Sequence, residues 1–342
     1  MENIKGIWIA NHPHSQFLAS KENIQQGIKN LKDRGFNTIF PVIWNRGYTL
    51  YPSSVMQSYN FPIIDPFYGQ QNRDPLAETI AEAHRNNIKV IPWFEYGFAA
   101  SHLISGGHIL KQKPHWKAIN NQGKNVIHGG LTWMNSFHPE VQNFMLDLVI
   151  EVVKKYEVDG IQGCDRFPAA PIQSGYDVYT VSQYQNQFKK PPPHNYQDSQ
   201  WLQWRSDLLT DFLSCLYQKV KEIKPNILIS LAPAVYPFCL KHLLQDSKTW
   251  IKKDLVDIIH PQIYRSDWFS YLHEVHQIKK YFDSSDWAKF APGIAIKANN
   301  KVISDRLLKR YIKLNQKTGF CGQVIFHYEE LIKGSDFSHD EV

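Results

Sequence analysis

Short, dense apolar runs alternate with stretches whose apolar positions recur every three or four residues, from one end of the chain to the other. Dense runs bounded by turn residues read as buried strands, and the three-to-four spacing reads as amphipathic helix. Strand-like runs occupy Gly6–Ala10, Asn37–Ile43, Ile88–Phe94, Gly160–Asp165, Ile227–Ala232, Val256–His260, Phe290–Ile294 and Gly322–His327. Between them, Ser20 reads as a helix cap, with Ile24, Ile28 and Leu31 on one face and Gly35 where the helix stops. Asp74-Pro75 supplies a cap and a first-turn proline ahead of Leu76, Ile80 and Ala83; Pro139 opens another helix that buries Val141, Met145, Leu148 and Val152. Later helices are expected at Trp201–Ile223, Leu240–Ile251, Trp268–Phe282 and Val302–Gln316.

Eight such repeats are the number that closes a (β/α)8 TIM barrel. A doubly wound sheet uses the same alternation, but its nucleotide-binding form needs a glycine-rich first turn, and this chain has Asn11-His12-Pro13-His14 there. No shift in composition marks a linker, so residues 1–342 are expected to form one barrel domain. The connections after strands two, three and four, roughly Trp44–Arg73, Glu95–His138 and Arg166–Gln200, are far longer than ordinary βα loops and fall on one rim. They carry Trp44, Tyr48, Tyr51, Trp93, Tyr96, Trp116, Trp133 and Tyr176; about half are expected to stack on sugar rings and half to pack the loops themselves.

Composition narrows the function. With 342 residues, 43% hydrophobic and 13% aromatic, the chain can bury a large core. The net charge of +6 is spread in pairs such as Lys252-Lys253, which argues against a nucleic-acid footprint. Cys164, Cys215, Cys239 and Cys321 lie too far apart for a paired-cysteine metal or redox motif. No apolar stretch reaches the ~20 residues of a membrane span. No signal peptide is visible at the N-terminus, so the chain as written is expected to be cytoplasmic, or periplasmic or extracellular if a leader was removed.

Candidate chemistry sits at the strand ends. The fourth run, Asp159-Gly160-Ile161-Gln162-Gly163-Cys164-Asp165-Arg166, leads directly into a carboxylate where a barrel enzyme keeps its reacting groups, although Asp165 also suits a helix cap. The third run ends Trp93-Phe94-Glu95-Tyr96-Gly97, and alternation turns Trp93 and Glu95 toward the barrel mouth. Two carboxylates flanking one bond are the minimal equipment for glycoside hydrolysis; the plainer alternative for Glu95 is an ion pair with Arg166 or Arg46. Gln262 and Tyr264 after strand six, Asn11 and Asn45 after strands one and two, and His327 and Glu329 after strand eight are candidate substrate contacts, with Trp44, Trp93, Tyr96 and Arg166. Helix capping is the competing role for Glu329. His12 and His14 form an H-x-H pair of the sort that begins some metal sites, but no further ligands are evident, and neither metal nor organic cofactor is expected.

Longer motifs carry a resemblance. Gly6-Ile7-Trp8, the run from Pro41 through Trp44-Asn45-Arg46-Gly47-Tyr48 to Ser53, Ile91-Pro92-Trp93-Phe94-Glu95-Tyr96-Gly97-Phe98, Val158-Asp159-Gly160-Ile161-Gln162, Ala232-Pro233-Ala234-Val235-Tyr236-Pro237 and Pro261-Gln262-Ile263-Tyr264-Arg265 occur in order along the chain. Together they resemble the glycosyl hydrolase-like 10 (DUF187) group, particularly its cyanobacterial branch. The resemblance implies a TIM barrel acting on glycan, with bacterial relatives that cleave peptidoglycan strands stripped of stem peptides. Similar proteins usually have two consecutive acids at the end of strand four, whereas this chain reads Cys164-Asp165. The expected activity is hydrolysis of O-glycosidic bonds in a bacterial polysaccharide, with Asp165 as nucleophile or base, facing inward, and Glu95 as acid. The alternatives are a carbohydrate-binding barrel impaired by Cys164 and a metal-dependent hydrolase built on His12 and His14.

Overall fold

The structure, a computed structural model, describes residues 3–298 and 300–339. All eight expected strands are present: β1 Ile4–Ile9, β2 Thr38–Pro41, β3 Lys89–Val90, β4 Gly160–Cys164, β5 Leu228–Ala232, β6 Ile258–Ile259, β7 Gly293–Ala295 and β8 Gly322–Phe326. Parallel ladders join β7 to β8, β8 to β1, β1 to β2 and β2 to β3, and a second set joins β4, β5 and β6. Single parallel bridges close the two remaining seams. Trp93 pairs with both Val42 and Gln162, while Ile259–Phe290 and Gln262–Gly293 tie β6 to β7. Pro92, Pro261 and Pro292 lie at these seams; each lacks an N–H for the ladder, which accounts for isolated bridges there. The result is a closed (β/α)8 barrel.

Helices follow the expected caps. Ser20 and Asp74 cap Lys21–Asp33 and Pro75–Arg85 by accepting from Asn23 and Ala77 N–H groups, and His138 caps Pro139–Lys155 through Glu140 N–H. One expectation needs correction. Leu240–Ile251 is not continuous: it divides into Phe238–Leu243 and Ser247–Lys252, because Leu244 turns left-handed at φ 56° and Asp246 caps a new helix through Thr249 N–H. The break frees buried Gln245, whose Nε2 donates to the carbonyls of Cys164 (2.8 Å) and Pro168 (3.0 Å) and so fixes the turn after β4.

A directed chain of hydrogen bonds crosses the barrel interior. Trp8 Nε1 donates to Gln162 Oε1 at 2.6 Å, and Gln162 Nε2 donates to Ser230 Oγ at 2.9 Å. Ser230 Oγ lies 2.8 Å from His260 Nε2, and His260 Nδ1 lies 2.7 Å from the Ala291 carbonyl. That carbonyl only accepts, so Nδ1 carries the proton and Nε2 accepts from the serine. Trp8, Gln162, Ser230 and His260 are all at most 1% exposed, and Phe40, Trp93, His260 and Phe326 surround the indole of Trp8.

The three long loops fold into structures of their own. The first holds the hairpin Trp44–Asn45/Tyr48–Thr49, the second an antiparallel sheet of Ala99–Ser101, Leu131–Trp133 and Ile127–His128, and the third the helix Val178–Phe188. Fully buried Arg205 anchors the third, donating to the carbonyls of Ile172, Ser174 (2.7 Å), Tyr196 (2.6 Å) and Trp201 (3.2 Å). Loop packing takes more of the aromatics than expected. Trp44, Tyr51, Trp93, Tyr96, Trp116 and Trp133 are buried, leaving Tyr48 and Tyr176 partly exposed. Among the described residues, no helix is long and apolar enough to cross a membrane.

Burial lowers the pKa of His260 to about 4, keeping it neutral in the chain it completes. Between pH ~6.5 and that value the unfolded chain binds a proton that the folded one refuses, so stability falls as pH drops through this window. The variant His260→Gln is expected to be less stable at pH 7 but to show a shallower loss between pH 6.5 and 4. Urea unfolding across that range measures both, and an unchanged slope would remove His260 from this account.

Candidate active site on the barrel rim

Glu95 and Asp165 emerge from adjacent staves, just beyond β3 and β4. Their side chains are 19% and 30% exposed, so neither is sealed beneath the rim. Arg166 holds both. Its guanidinium lies 3.5 Å from Glu95 Oε1 and 4.0 Å from Asp165 Oδ1, and its Nε donates to the Glu95 backbone carbonyl at 2.7 Å. Asn45 Nδ2 donates to Glu95 Oε2 at 2.5 Å, and Arg46 Nε donates to Asn45 Oδ1 at 2.7 Å. The ion pair considered as the plainer role for Glu95 is therefore present. Burial nevertheless outweighs the opposing Arg166 charge and Asn45 bond, and holds the Glu95 pKa above the usual carboxylate value.

Two glycines allow this packing, Gly97 where the two staves meet and Gly163 where the turn after β4 folds back on its own strand. A Cβ on Gly163 would sit 2.2 Å from the Phe167 carbonyl oxygen, and one on Gly97, at φ +48°, would sit 2.1 Å from that of Arg166. Gln162 faces the barrel interior, so the two-residue repeat gives that direction to Cys164, while Asp165 follows the last residue of β4. The Cys164 thiol is buried against the Glu95 carbonyl at 2.9 Å, and burial pushes its pKa up to about 12.

The other expected contacts divide by burial. Trp44 is fully enclosed, donating to the Gly97 carbonyl and packing on Phe144, so it offers no face to a sugar; Trp93 packs inside the barrel on Trp8, and Tyr96 is 5% exposed. Gln262 Nε2 donates to the Ala232 carbonyl, and Tyr264 stacks on Phe326. Burial and the nearby Asp165 charge raise the Tyr264 pKa well above its usual value, which keeps its hydroxyl a donor. Asn11 accepts from Tyr68 at 3.4 Å and lines a rim cleft of about 650 Å³ with His12, Arg46, Tyr48, Asp65 and Tyr68. Arg46 and Asp65 had no signal in the strand pattern, because the hairpin after β2 carries Arg46 in its turn and holds Asp65 through the Thr49 carbonyl.

The expected His12–His14 pair does not gather ligands. His12 instead joins His327 and Glu329, whose ligand atoms lie within 4.8 Å of one another, while exposed His14 stays outside the group. His327 Nδ1 donates to Glu329 Oε2 at 2.8 Å, and both residues are buried.

The sequence profile of glycosyl hydrolase-like 10 matches residues 3–305. The chain belongs to that family. Similar family relatives include the glycosyl hydrolase YngK of Bacillus subtilis, 27% identical over 300 residues that cover 78% of this chain and 55% of YngK. The glycosyl hydrolase DigH of Escherichia coli is 24% identical over 302 residues, covering 76% of this chain and 65% of DigH. The chain thus spans little more than half to two thirds of these relatives. Among solved structures, the PgaB (BpsB) glycoside hydrolase domain of Bordetella bronchiseptica superposes with a TM-score of 0.72 at 14% identity, covering 98% of this chain and 96% of that domain. The β-amylase catalytic domain of Paenibacillus polymyxa gives 0.65 at 9% identity, covering 95% and 92%. These likenesses establish the shared barrel fold of this glycosyl hydrolase-like 10 protein.

In this family member the Asn45 bond favours ionised Glu95. Asn45→Ala is therefore expected to raise the Glu95 pKa further, since it removes a donor to the charged form. Carboxyl ¹³C shifts followed through a pH titration measure the change, and a downward move would contradict the assigned cause.

Proposed function

We propose that the protein hydrolyses O-glycosidic bonds of a bacterial polysaccharide, with peptidoglycan glycan strands as the leading substrate. Glu95 is the general acid, and Asp165 is the nucleophile or the base that activates water. The observation that carries this reading is the unequal setting of two neighbouring carboxylates around Arg166. Glu95 is the more enclosed, and its burial favours the protonated form that an acid needs. Asp165 is the more open of the two and meets solvent on the rim. Pairs of carboxylates placed in different environments divide acid and base work in this way.

The neighbouring groups support the division of labour. Arg166 lies between the acids and limits how far burial can raise Glu95. Tyr264 retains a donor hydroxyl for a substrate oxygen, and the cleft carrying Asn11, Arg46 and Tyr48 begins one residue from Asn45. The likeness to proteins named glycosyl hydrolases supports a carbohydrate substrate.

A second reading is favoured by one observation: a protein of this group that needs an acid at position 164 has a buried, neutral thiol there. Such a protein binds glycan without cleaving it.

Asp165→Asn and Glu95→Gln are each expected to lower glycan turnover by about two to four orders of magnitude, the usual contribution of a positioned acid or base, while leaving the circular dichroism spectrum unchanged. Release of reducing ends from stem-peptide-free glycan strands measures turnover. Wild-type activity in either variant rejects its assigned role, and wild-type binding without any release supports the binding-only reading.

A further inference from the structure

We propose that His12, His327 and Glu329 form a binding site for one zinc-class divalent cation where β1 and β8 meet the rim. The donors come from neighbouring staves. His12 follows β1, and His327 and Glu329 follow β8, which pairs with β1 through the register Ile4–Gly322 to Ile7–Ile325. Two imidazoles and one carboxylate are a donor set suited to zinc, which takes three protein ligands and leaves a position for water or a substrate oxygen.

Glu329 gives an independent sign of a missing partner. It is 6% exposed; one carboxylate oxygen, Oε2, is bonded to His327, and the other, Oε1, is buried without any hydrogen-bond partner. A buried carboxylate oxygen left unpaired is costly, and coordination to a cation removes that cost. The 2.8 Å approach of His327 Nδ1 to Glu329 Oε2 already sets a ring nitrogen beside a carboxylate oxygen, so Nδ1 is the ligating nitrogen and the cation displaces the proton between them on loading.

His12 completes the set from the side of the cleft it also lines. Its Nδ1 accepts from the His14 backbone N–H at 3.2 Å, so loading requires either a change of tautomer or loss of that long contact. The side chain of His14 has no part in the site. The proposal concerns cation binding alone and stands whether or not Glu95 and Asp165 cleave glycan.

The test uses untagged full-length chain, stripped with chelator and titrated with zinc by calorimetry, with cobalt(II) absorption as a probe of coordination. Wild-type protein is expected to bind one equivalent of zinc and to give the intense visible bands of tetrahedral cobalt. His12→Ala and the isosteric Glu329→Gln are each expected to weaken zinc binding at least about tenfold, with His14→Ala unchanged. Thermal unfolding of the metal-free variants confirms that they are folded. Failure of the wild type to bind an equivalent, unaltered affinity in the His12 and Glu329 variants, or an equal loss in His14→Ala would each overturn the proposal.

Discussion

The barrel depends on a buried polar chain that has one consistent direction. From the Trp8 indole through Gln162, Ser230 and His260 to the Ala291 carbonyl, each donor meets one acceptor. The participants belong to β1, β4, β5, the residue after β6 and the segment before β7, so the chain crosses the interior rather than following a single ladder. Reversing the amide of Gln162 sets its Nε2 against the Trp8 N–H, and charging His260 leaves the Ser230 hydroxyl proton without its acceptor; buried polar groups are costly when only partly satisfied. The seams between β3 and β4 and between β6 and β7 have only isolated bridges, and the interior chain links strands across both halves of the ring.

The same framework positions the rim. Gln162 anchors β4 inside the barrel, and two residues later the strand gives way to the turn carrying Asp165. Gln245 holds that turn from outside through the carbonyls of Cys164 and Pro168, and Arg166 reaches back to the Glu95 carbonyl. Glu95 and Asp165 are thus held by backbone contacts on both sides, not only by attraction to a shared guanidinium. A neutral thiol fits at position 164 because it lies under the Glu95 carbonyl, where a charged carboxylate would face a carbonyl oxygen as well as two neighbouring acids.

Much of the architecture was legible in the chain. The caps at Ser20 and Asp74, the helix-opening Pro139 and the eight apolar runs anticipated the order of elements, because local periodicity reports which face of each element is buried. Leu240–Ile251 was the clearest miss among the helices: its apolar pattern is continuous, but the left-handed turn at Leu244 delivers Gln245 to a strand distant in sequence. The aromatics were less legible. Composition supplied eight rings on the long loops, yet Trp44 and Trp116 pack on Phe144 of the Pro139–Lys155 helix, a contact that no spacing within the loops announces.

At the site, the sequence determined the chemical inventory and the strand ends on which it appears: Glu95 after β3, Asp165 after β4, His12 after β1, and His327 and Glu329 after β8. Tertiary structure decided the partnerships. It buried Cys164 against the Glu95 carbonyl, enclosed Trp44, placed Arg166 between two acids and exchanged His14 for His327 and Glu329 beside His12. The physical reason is that period and capping act within a few residues, whereas burial, charge pairing and donor convergence depend on side chains that barrel closure brings together from opposite ends of the chain.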